Sequence, residues 1–298
     1  MKHLRTLEYI ASISRTGSIR RTAEQMNITA SALTRKIQDF EAELGAPVFE
    51  RLPQGMRLNS AGELLVRHIR SQFSDFERLQ SQIADLTGVR RGHVAIACSQ
   101  AFVDHLLPEE IAAYRRQFPL VSFSMQMRDH AQGIQSLVTF EADLALLVNP
   151  PATAEMTVLM SGSYPLCAVM NRNHPLAQNG PIRLRECLQY PLAMPDRSLA
   201  IRHVLDAALA RTQATADVAI ESGSIEFLRN FTLREQVISF HIALAGPTRE
   251  DLCLRPLHPK DVPLLALVLG YARGRSLPIA ASKFAEQLSR RLAADSTG

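Results

Sequence analysis

The sequence predicts an α+β chain in three parts: a small helical head that closes with a β-hairpin, one long linker helix, and a larger α/β domain of two lobes. Three observations carry that expectation. Within residues 17–62, apolar positions recur at helical spacing on both sides of a tight turn, and two short extended runs follow around Pro53-Gln54-Gly55. From Leu65 to Leu86 one apolar stripe repeats at about 3.5 residues, the period of a coiled-coil seam. From residue 93 onward, strand and helix patterns alternate to the C-terminus.

The head begins with a helix over 3–14 whose inner face carries Leu4, Leu7, Ile10 and Ala11. Gly17 ends the turn, and Ser18 is placed to cap a second helix in which Ile19, Ala23 and Met26 share one face. Ile28 plugs the next turn, and Thr29 caps a third helix with Leu33, Ile37, Phe40 and Leu44 facing inward. Its opposite face shows Ala30, Ser31, Thr34, Arg35 and Gln38, which are small, hydroxyl, guanidinium and amide groups able to enter a major groove. Such a helix, turn and helix predict a DNA-reading helix-turn-helix.

Thr34 and Arg35 are the leading base contacts, with Gln38 a further candidate. A guanidinium offers guanine a bidentate fork, worth ~1–3 kcal/mol of discrimination. The competing reading of Arg35 is an ion pair with Asp39, four residues on. Arg20 and Arg21 start the second helix and either meet phosphates or are plain surface arginines. Residues 48–51 and 56–58 form the predicted hairpin, a wing from which Arg51 and Arg57 would reach the flanking backbone or minor groove; Phe49 reads as core.

Ser60-Ala61-Gly62-Glu63 has the S-x-x-E form of a capping box and opens the long helix. Its stripe runs Leu65, Ile69, Phe73, Phe76, Leu79, Ile83 and Leu86. That stripe must be covered, either by a second copy of the helix or by the helix's own domain. Gly88 and Gly92, flanking Arg90-Arg91, read as a stop and hinge, which favours the free-standing helix.

In the last part, strands at 94–98, 121–127 and 143–148 alternate with helices at 102–117 and 131–140. A second unit follows, with strands at 164–170, 218–221 and 237–240, helices at 199–210 and 225–234, then a strand at 264–271 and a helix at 279–292. This pattern predicts open, mostly parallel sheets, which bind ligands beyond the carboxyl ends of their strands. That rule selects Ser99, Gln100, Arg128 and Asn149 from the first lobe, and Arg197, Ser198, Ser224, Phe240 and His241 from the second. Helix N-termini nearby favour an anion, so the expected ligand is a small organic carboxylate with an apolar part. The alternative for each position is an ordinary polar loop residue.

Composition bounds the function. The 298 residues are 46% apolar, enough for two or three packed domains. Of the net charge of +4, most lies in residues 1–60, where nine Lys/Arg face six Asp/Glu. Arg5 and Glu8 interrupt the N-terminal apolar residues, so no signal peptide is expected, nor any membrane span, and the predicted location is cytoplasmic. Four scattered cysteines include no CxxC pair, and the nine histidines include no HxxxH or HExxH. No GxSxG, GxGxxG or Walker A run occurs either, so no metal, cofactor or catalytic function is predicted.

Leu4, Leu7, Gly17-Ser18, Ala23, Ser31-Ala32, Ile37, Glu41, Leu44-Gly45, Phe49, Arg51, Leu58, Ala61-Gly62 and Leu65 together resemble the N-terminal domain of LysR-type transcriptional regulators. A looser resemblance, including Phe118-Pro119 and the HPLA run at 174–177, continues to the C-terminus. Thr34 stands where the family usually has serine, and Ala30 where glutamine is common, which removes one base-reading amide. The resemblance implies a winged helix-turn-helix DNA-binding domain at 1–59, a linker and dimerisation helix at 60–88, and an effector-binding domain at 89–298 that is similar to a periplasmic solute-binding protein. Lobe I would comprise about 92–161 and 267–298, and lobe II about 162–266, with crossings near 161–164 and 264–268. Ser99 and Ser198 agree with positions lining the family's cleft. The implied protein is a homodimer or homotetramer that binds double-stranded promoter DNA under control of a small-molecule effector, with RNA polymerase as a further partner. A peroxide-sensing cysteine pair, known in one branch, would need two thiols close together. The rival readings are a cytosolic small-molecule-binding protein whose head only dimerises, and an enzyme working in the cleft.

Overall fold

A computed structural model describes residues 4–52, 55–86, 91–178, 180–212, 215–242 and 250–295, without the side chains of Arg51, Glu77, Arg78, Ser81, Gln82, Ala84, Asp85 and Leu86. The predicted wing turn at Pro53-Gln54, and Gly88 and Arg90 of the predicted hinge, lie outside the described residues, as does the side chain of Leu86 at the end of the stripe. The chain divides into two compact units, Met1–Gln80 and Ser81–Gly298.

In the first unit, α1 (Leu4–Thr16), α2 (Ile19–Gln25) and α3 (Ala30–Leu44) are followed by β1 (Phe49–Leu52), β2 (Gly55–Leu58) and α4 (Ser60–Leu86). Their core is Tyr9, Ile10, Ile13, Ala23, Leu33, Ile37, Val48, Phe49, Val66 and Ile69, the inward stripes of four helices closed by the base of the wing. Leu44, predicted to face inward, is instead 45% exposed. The chain turns back at Gly45, so the last turn of α3 runs past the core. β1 and β2 pair antiparallel, Phe49 opposite Leu58 and Leu52 opposite Gly55. The wing lies close on the α1–α2 turn: the Met56 amide donates to the Gly17 carbonyl at 2.8 Å. A Cβ on Gly55, at φ 138°, would stand 2.4 Å from that oxygen, so only glycine fits.

The cap of α4 is also different from the expectation. Ser60 is already helical, and the side chain of Asn59 accepts from the Gly62 amide at 2.8 Å. The same residue donates from its backbone to Val48 at 3.2 Å and from Nδ2 to Pro47 at 2.9 Å. A serine hydroxyl is too short to cap the helix and tie down the wing at once. Beyond the cap, Leu65, Val66, Ile69 and Phe73 pack onto the head, whereas Phe76, Leu79 and Ile83 are 44%, 49% and 55% exposed. The stripe thus lies on its own domain for its first half only.

The second unit runs β3 (Gly92–Cys98), α5 (Leu106–Gln117), β4 (Val121–Met127), α6 (His130–Val138), β5 (Leu144–Val148), β6 (Met156–Tyr164), β7 (Leu166–Asn171), α7 (Leu184–Cys187), β8 (Leu192–Pro195), α8 (Ala200–Thr212), β9 (Val218–Ser222), α9 (Ile225–Thr232), β10 (Ile238–Ile242), β11 (Leu252–Pro256), β12 (Leu265–Ala272) and α10 (Ile279–Asp295). Two five-stranded sheets result, β4-β3-β5-β12-β6 in one lobe and β11-β7-β10-β8-β9 in the other. The chain crosses between them at Pro165 and again over 257–264. The sheets are mixed rather than mostly parallel. β3 is parallel to β4 and β5, and β8 to β9 and β10, but β12 and β7 run antiparallel to both of their neighbours. The strand entered at each crossing, β7 and then β12, runs against the βαβ strands, which is where the parallel expectation fails. The sequence pattern also missed β6, β8, β11 and α7.

Candidate nucleic-acid interface and ligand cleft

The outer face of α3 is open. Ala30, Ser31, Arg35 and Gln38 are exposed and Thr34 is half-buried. Thr29 caps the helix by accepting from the Ala32 amide at 3.3 Å, and its hydroxyl lies 3.3 Å from that of Ser31. Thr34 donates to the Ala30 carbonyl at 2.8 Å, which fixes its rotamer and leaves the oxygen as an acceptor. Arg35 and Asp39 are both exposed, and among the described residues no ion pair joins them. Ser18 caps α2 by accepting from the Arg21 amide at 3.3 Å, with Arg20 and Arg21 exposed beside it. On the wing, Arg57 donates to Glu50, its cross-strand partner, at 2.9 Å. The side chain of Arg51 is outside the description.

Sequence reasoning gave Glu41 no role of its own, yet its Oε1 accepts from the Val48 and Phe49 amides at 2.7 and 3.3 Å. A carboxylate near the C-terminal end of α3 therefore sets where the wing begins. Its separation from Val48 by a Gly45 turn is the only local signal, and nothing in that spacing names the partner.

In the second unit, Ser99, Gln100, Arg128 and Ser198 come together in a cleft of about 250 Å3, with Asp129, Gln132, Ala200 and Gly223 also on its wall. Ser99 Oγ accepts from the Val148 amide at 3.1 Å, so its hydrogen is available. Gln100 Oε1 accepts from the Ile225 amide across the lobes at 3.2 Å. Arg128 donates to Gln126 at 2.6 Å, and Ser198 Oγ donates to Asp196 at 2.5 Å. Asp129 caps α6 through the Gln132 amide at 2.7 Å, so the carboxylate in this cleft is already engaged.

The other predicted cleft residues lie elsewhere. Phe240 is 1% exposed, inside the main core. Half-buried His241 faces the Ile242 carbonyl through Nδ1 at 3.2 Å, and its Nε2 is shielded from solvent. Burial pulls its pKa down to about 4, so the ring is neutral near pH 7. The strand-end rule identifies the correct end of β10 but not which side chains its pleat turns inward. Ser224 caps α9, accepting from the Phe227 amide at 3.2 Å, and Arg197 is exposed off the cleft wall. Asn149, at φ 45°, exchanges two 2.7 Å bonds with the Ala266 backbone. It borders a second hollow of about 330 Å3 lined along α8 by Ala200, His203, Val204, Ala207 and Arg211. Those positions form a helical stripe that the sequence displayed but the strand-end rule ignored.

Burial pushes the thiols of Cys98 and Cys187 up to about 12, so neither supplies the thiolate that redox sensing requires. All four cysteines are free. Among the described residues, no group of three or more His, Cys, Asp or Glu could hold a metal, and no helix is long and apolar enough to cross a membrane.

Comparison with known proteins agrees with both halves. Residues 4–63 match the bacterial regulatory helix-turn-helix protein family of LysR type, and residues 87–293 match the LysR substrate binding domain. The chain is 27% identical over 229 residues to the transcriptional activator CmpR of a Synechocystis strain, covering 76% of this chain and 74% of that protein. It is 27% identical over 236 residues to the regulator CbbR of Sinorhizobium medicae, covering 79% and 74%. Among solved structures, a full-length OxyR variant from Pseudomonas aeruginosa shares the fold with a TM-score of 0.72 at 18% identity, over 99% of this chain and 96% of that one. CbnR bound to its target DNA does so at 0.65 and 16% identity, over 97% and 99%. The relatives are regulators and not enzymes. A helix-turn-helix head, a two-sheet ligand-binding domain and matches to both family descriptions lead to one assignment: the chain belongs to the LysR family of DNA-binding transcriptional regulators.

Proposed function

We propose that this chain binds promoter DNA through α3 and the wing, and that a small organic acid held between its lobes adjusts that binding. The observation carrying the proposal is the outer face of α3, where Ser31, Arg35 and Gln38 are exposed and Thr34 half-buried, with no competing ion pair on Arg35 among the described residues. In this reading Thr34 and Arg35 read base edges, with Ser31 and Gln38 beside them. Ser18, Arg20, Thr29, Arg51 and Arg57 position the head on phosphates or in the flanking minor groove. Ala30 gives close approach without a base-reading group.

The ligand is assigned to Ser99, Gln100, Arg128 and Ser198, whose hydroxyl, amide and guanidinium groups suit a carboxylate. The working division is a head at 1–59, a linker helix at 60–88 and an effector domain at 89–298. Self-association through Phe76, Leu79 and Ile83 would set two heads on two half-sites, with RNA polymerase the partner at the promoter. A ligand acts here by binding one lobe arrangement better than another, so it shifts a population. An electrophoretic shift with the chain's own upstream DNA tests the first half of the proposal. A specific shift is expected, and none at any ligand concentration would favour a protein whose head only dimerises. A thermal-shift screen of small organic acids tests the second half, where no stabilising acid would overturn the ligand class.

A further inference from the structure

Two contacts cross from one lobe to the other beside the cleft, and they share a spacing. Gln100 accepts from the amide of Ile225 at 3.2 Å, and Asp104, four residues on, forms an ion pair with Arg229, four residues along α9. Both side chains of the ion pair are partly buried, 22% exposed for Arg229 and 33% for Asp104. Beneath α9, on β10, lies His241. Its Nδ1 points at the Ile242 carbonyl and so carries the hydrogen, which leaves Nε2 as an acceptor. That Nε2 is buried and has no partner among the described residues. Arg229 and Asp104 both lie near enough to act on this imidazole electrostatically, and burial keeps it neutral.

A buried acceptor left without a donor is costly, and so is a guanidinium that loses its carboxylate. Each deficit is met by the other. We infer that Arg229 is a two-position latch: it pairs with Asp104 while the lobes are together, and turns to Nε2 of His241 within its own lobe when Gln100 and Ile225 part. The exchange offsets part of the cost of opening, so the two lobe arrangements come close in free energy, as a switching element requires. The latch concerns the lobe equilibrium alone and holds whatever the ligand's chemistry, so failure of the organic-acid screen would leave it intact.

The Ile225 amide reports the latch directly through hydrogen–deuterium exchange of the full chain. Leu228, whose amide bonds to Ser224 inside the same lobe at 3.1 Å, serves as the internal reference. Asp104→Asn removes the charge that holds the closed position, and the exchange ratio of Ile225 to Leu228 should rise about five-fold. His241→Leu removes the acceptor of the open position, and the ratio should fall by a similar factor. His241→Gln, which restores an acceptor, should bring it back towards the parent value. A His241 of purely structural value predicts the opposite sign, since loosening β10 would free α9. An unchanged ratio for Asp104→Asn, or an unchanged or raised ratio for His241→Leu, overturns the latch.

Discussion

Replacing Gly62 by alanine tests how the head is assembled. A Cβ there would lie 2.0 Å from the Val48 carbonyl oxygen, 3.0 Å from its carbon and 2.9 Å from Leu58 Cδ2. The leucine methyl can rotate away, but the carbonyl cannot. It accepts from Asn59 at 3.2 Å, and the amide of the same residue is held by Glu41 at 2.7 Å. Restoring a normal contact needs about 1 Å or more of movement. Lifting α4 by that much breaks the Asn59 bonds to Val48 and Gly62, each worth ~1 kcal/mol. Residual overpacking adds ~1–3 kcal/mol. Against this, alanine gains up to ~1 kcal/mol in a helix. The net expectation is a head destabilised by about 3 kcal/mol, equal to roughly a hundred-fold loss of exchange protection at the buried Ile10 and Leu33 amides. Protection in β3 and β5 of the second unit should hold, and specific DNA binding should weaken as the head opens. A variant as stable as the parent, or more stable as helix propensity alone demands, would refute the close backbone approach of α4 and the wing.

Arg35→Ala should weaken specific binding by ~1–3 kcal/mol and relax preference at one base pair, whereas Arg57→Ala should weaken all sequences alike and shallow the salt dependence; shift assays on a randomised operator at two ionic strengths separate them. Leu79→Glu should lower the association state seen by light scattering without changing far-ultraviolet dichroism, because that side chain is 49% exposed and lies outside the buried core of its own subunit. Acid should destabilise the second unit through His241: the unfolded chain takes up a proton below about 6.5, the native ring only near 4, so this contribution is complete above 6.5 and disappears as pH falls through 4. Melting curves of the parent and of His241→Leu across that window should differ in slope, and parallel slopes would count against a neutral buried ring.

The head was legible because its helices, turns and caps are local matters. Leu33 and Ile37, at four-residue spacing, are 0% and 3% exposed, and Ser18 and Thr29 cap the helices they precede. What the sequence could not reveal was where distant backbone arrives. Leu44 continues the inner stripe of α3 by periodicity, yet the core has ended by then. Asn59 caps α4 instead of Ser60 because Pro47 and Val48 come within its reach, which no helical spacing encodes. In the second unit, β8 has four residues including a proline and carries too little pattern to declare itself. The strand-end rule brought Ser99, Gln100, Arg128 and Ser198 into one cleft, since those residues leave strands or precede helices whatever the pleat does. It failed at Phe240 and His241, which are still within β10, where the pleat decides the face.

The two asparagines that the sequence undervalued show where the molecule is stiff. Asn59 ties the base of the wing to the start of α4 with three hydrogen bonds, and Asn149 ties the end of β5 to β12 just after the chain returns from the other lobe. Each joint is made by backbone groups and a short amide with few rotamers, so opening either one gives up several hydrogen bonds, most of them part-buried, at once. Motion will therefore avoid them. The contacts between Gln100 and Ile225, and between Asp104 and Arg229, are of another kind: each rests on one or two long side chains, and the ion pair is partly exposed. Breaking these costs less than opening either asparagine joint, because water reaches the parted ion pair. The strip where lobe I meets α9, beside the cleft, is thus the compliant joint between the lobes on this argument, and a ligand bound at Gln100, as proposed, would act on it.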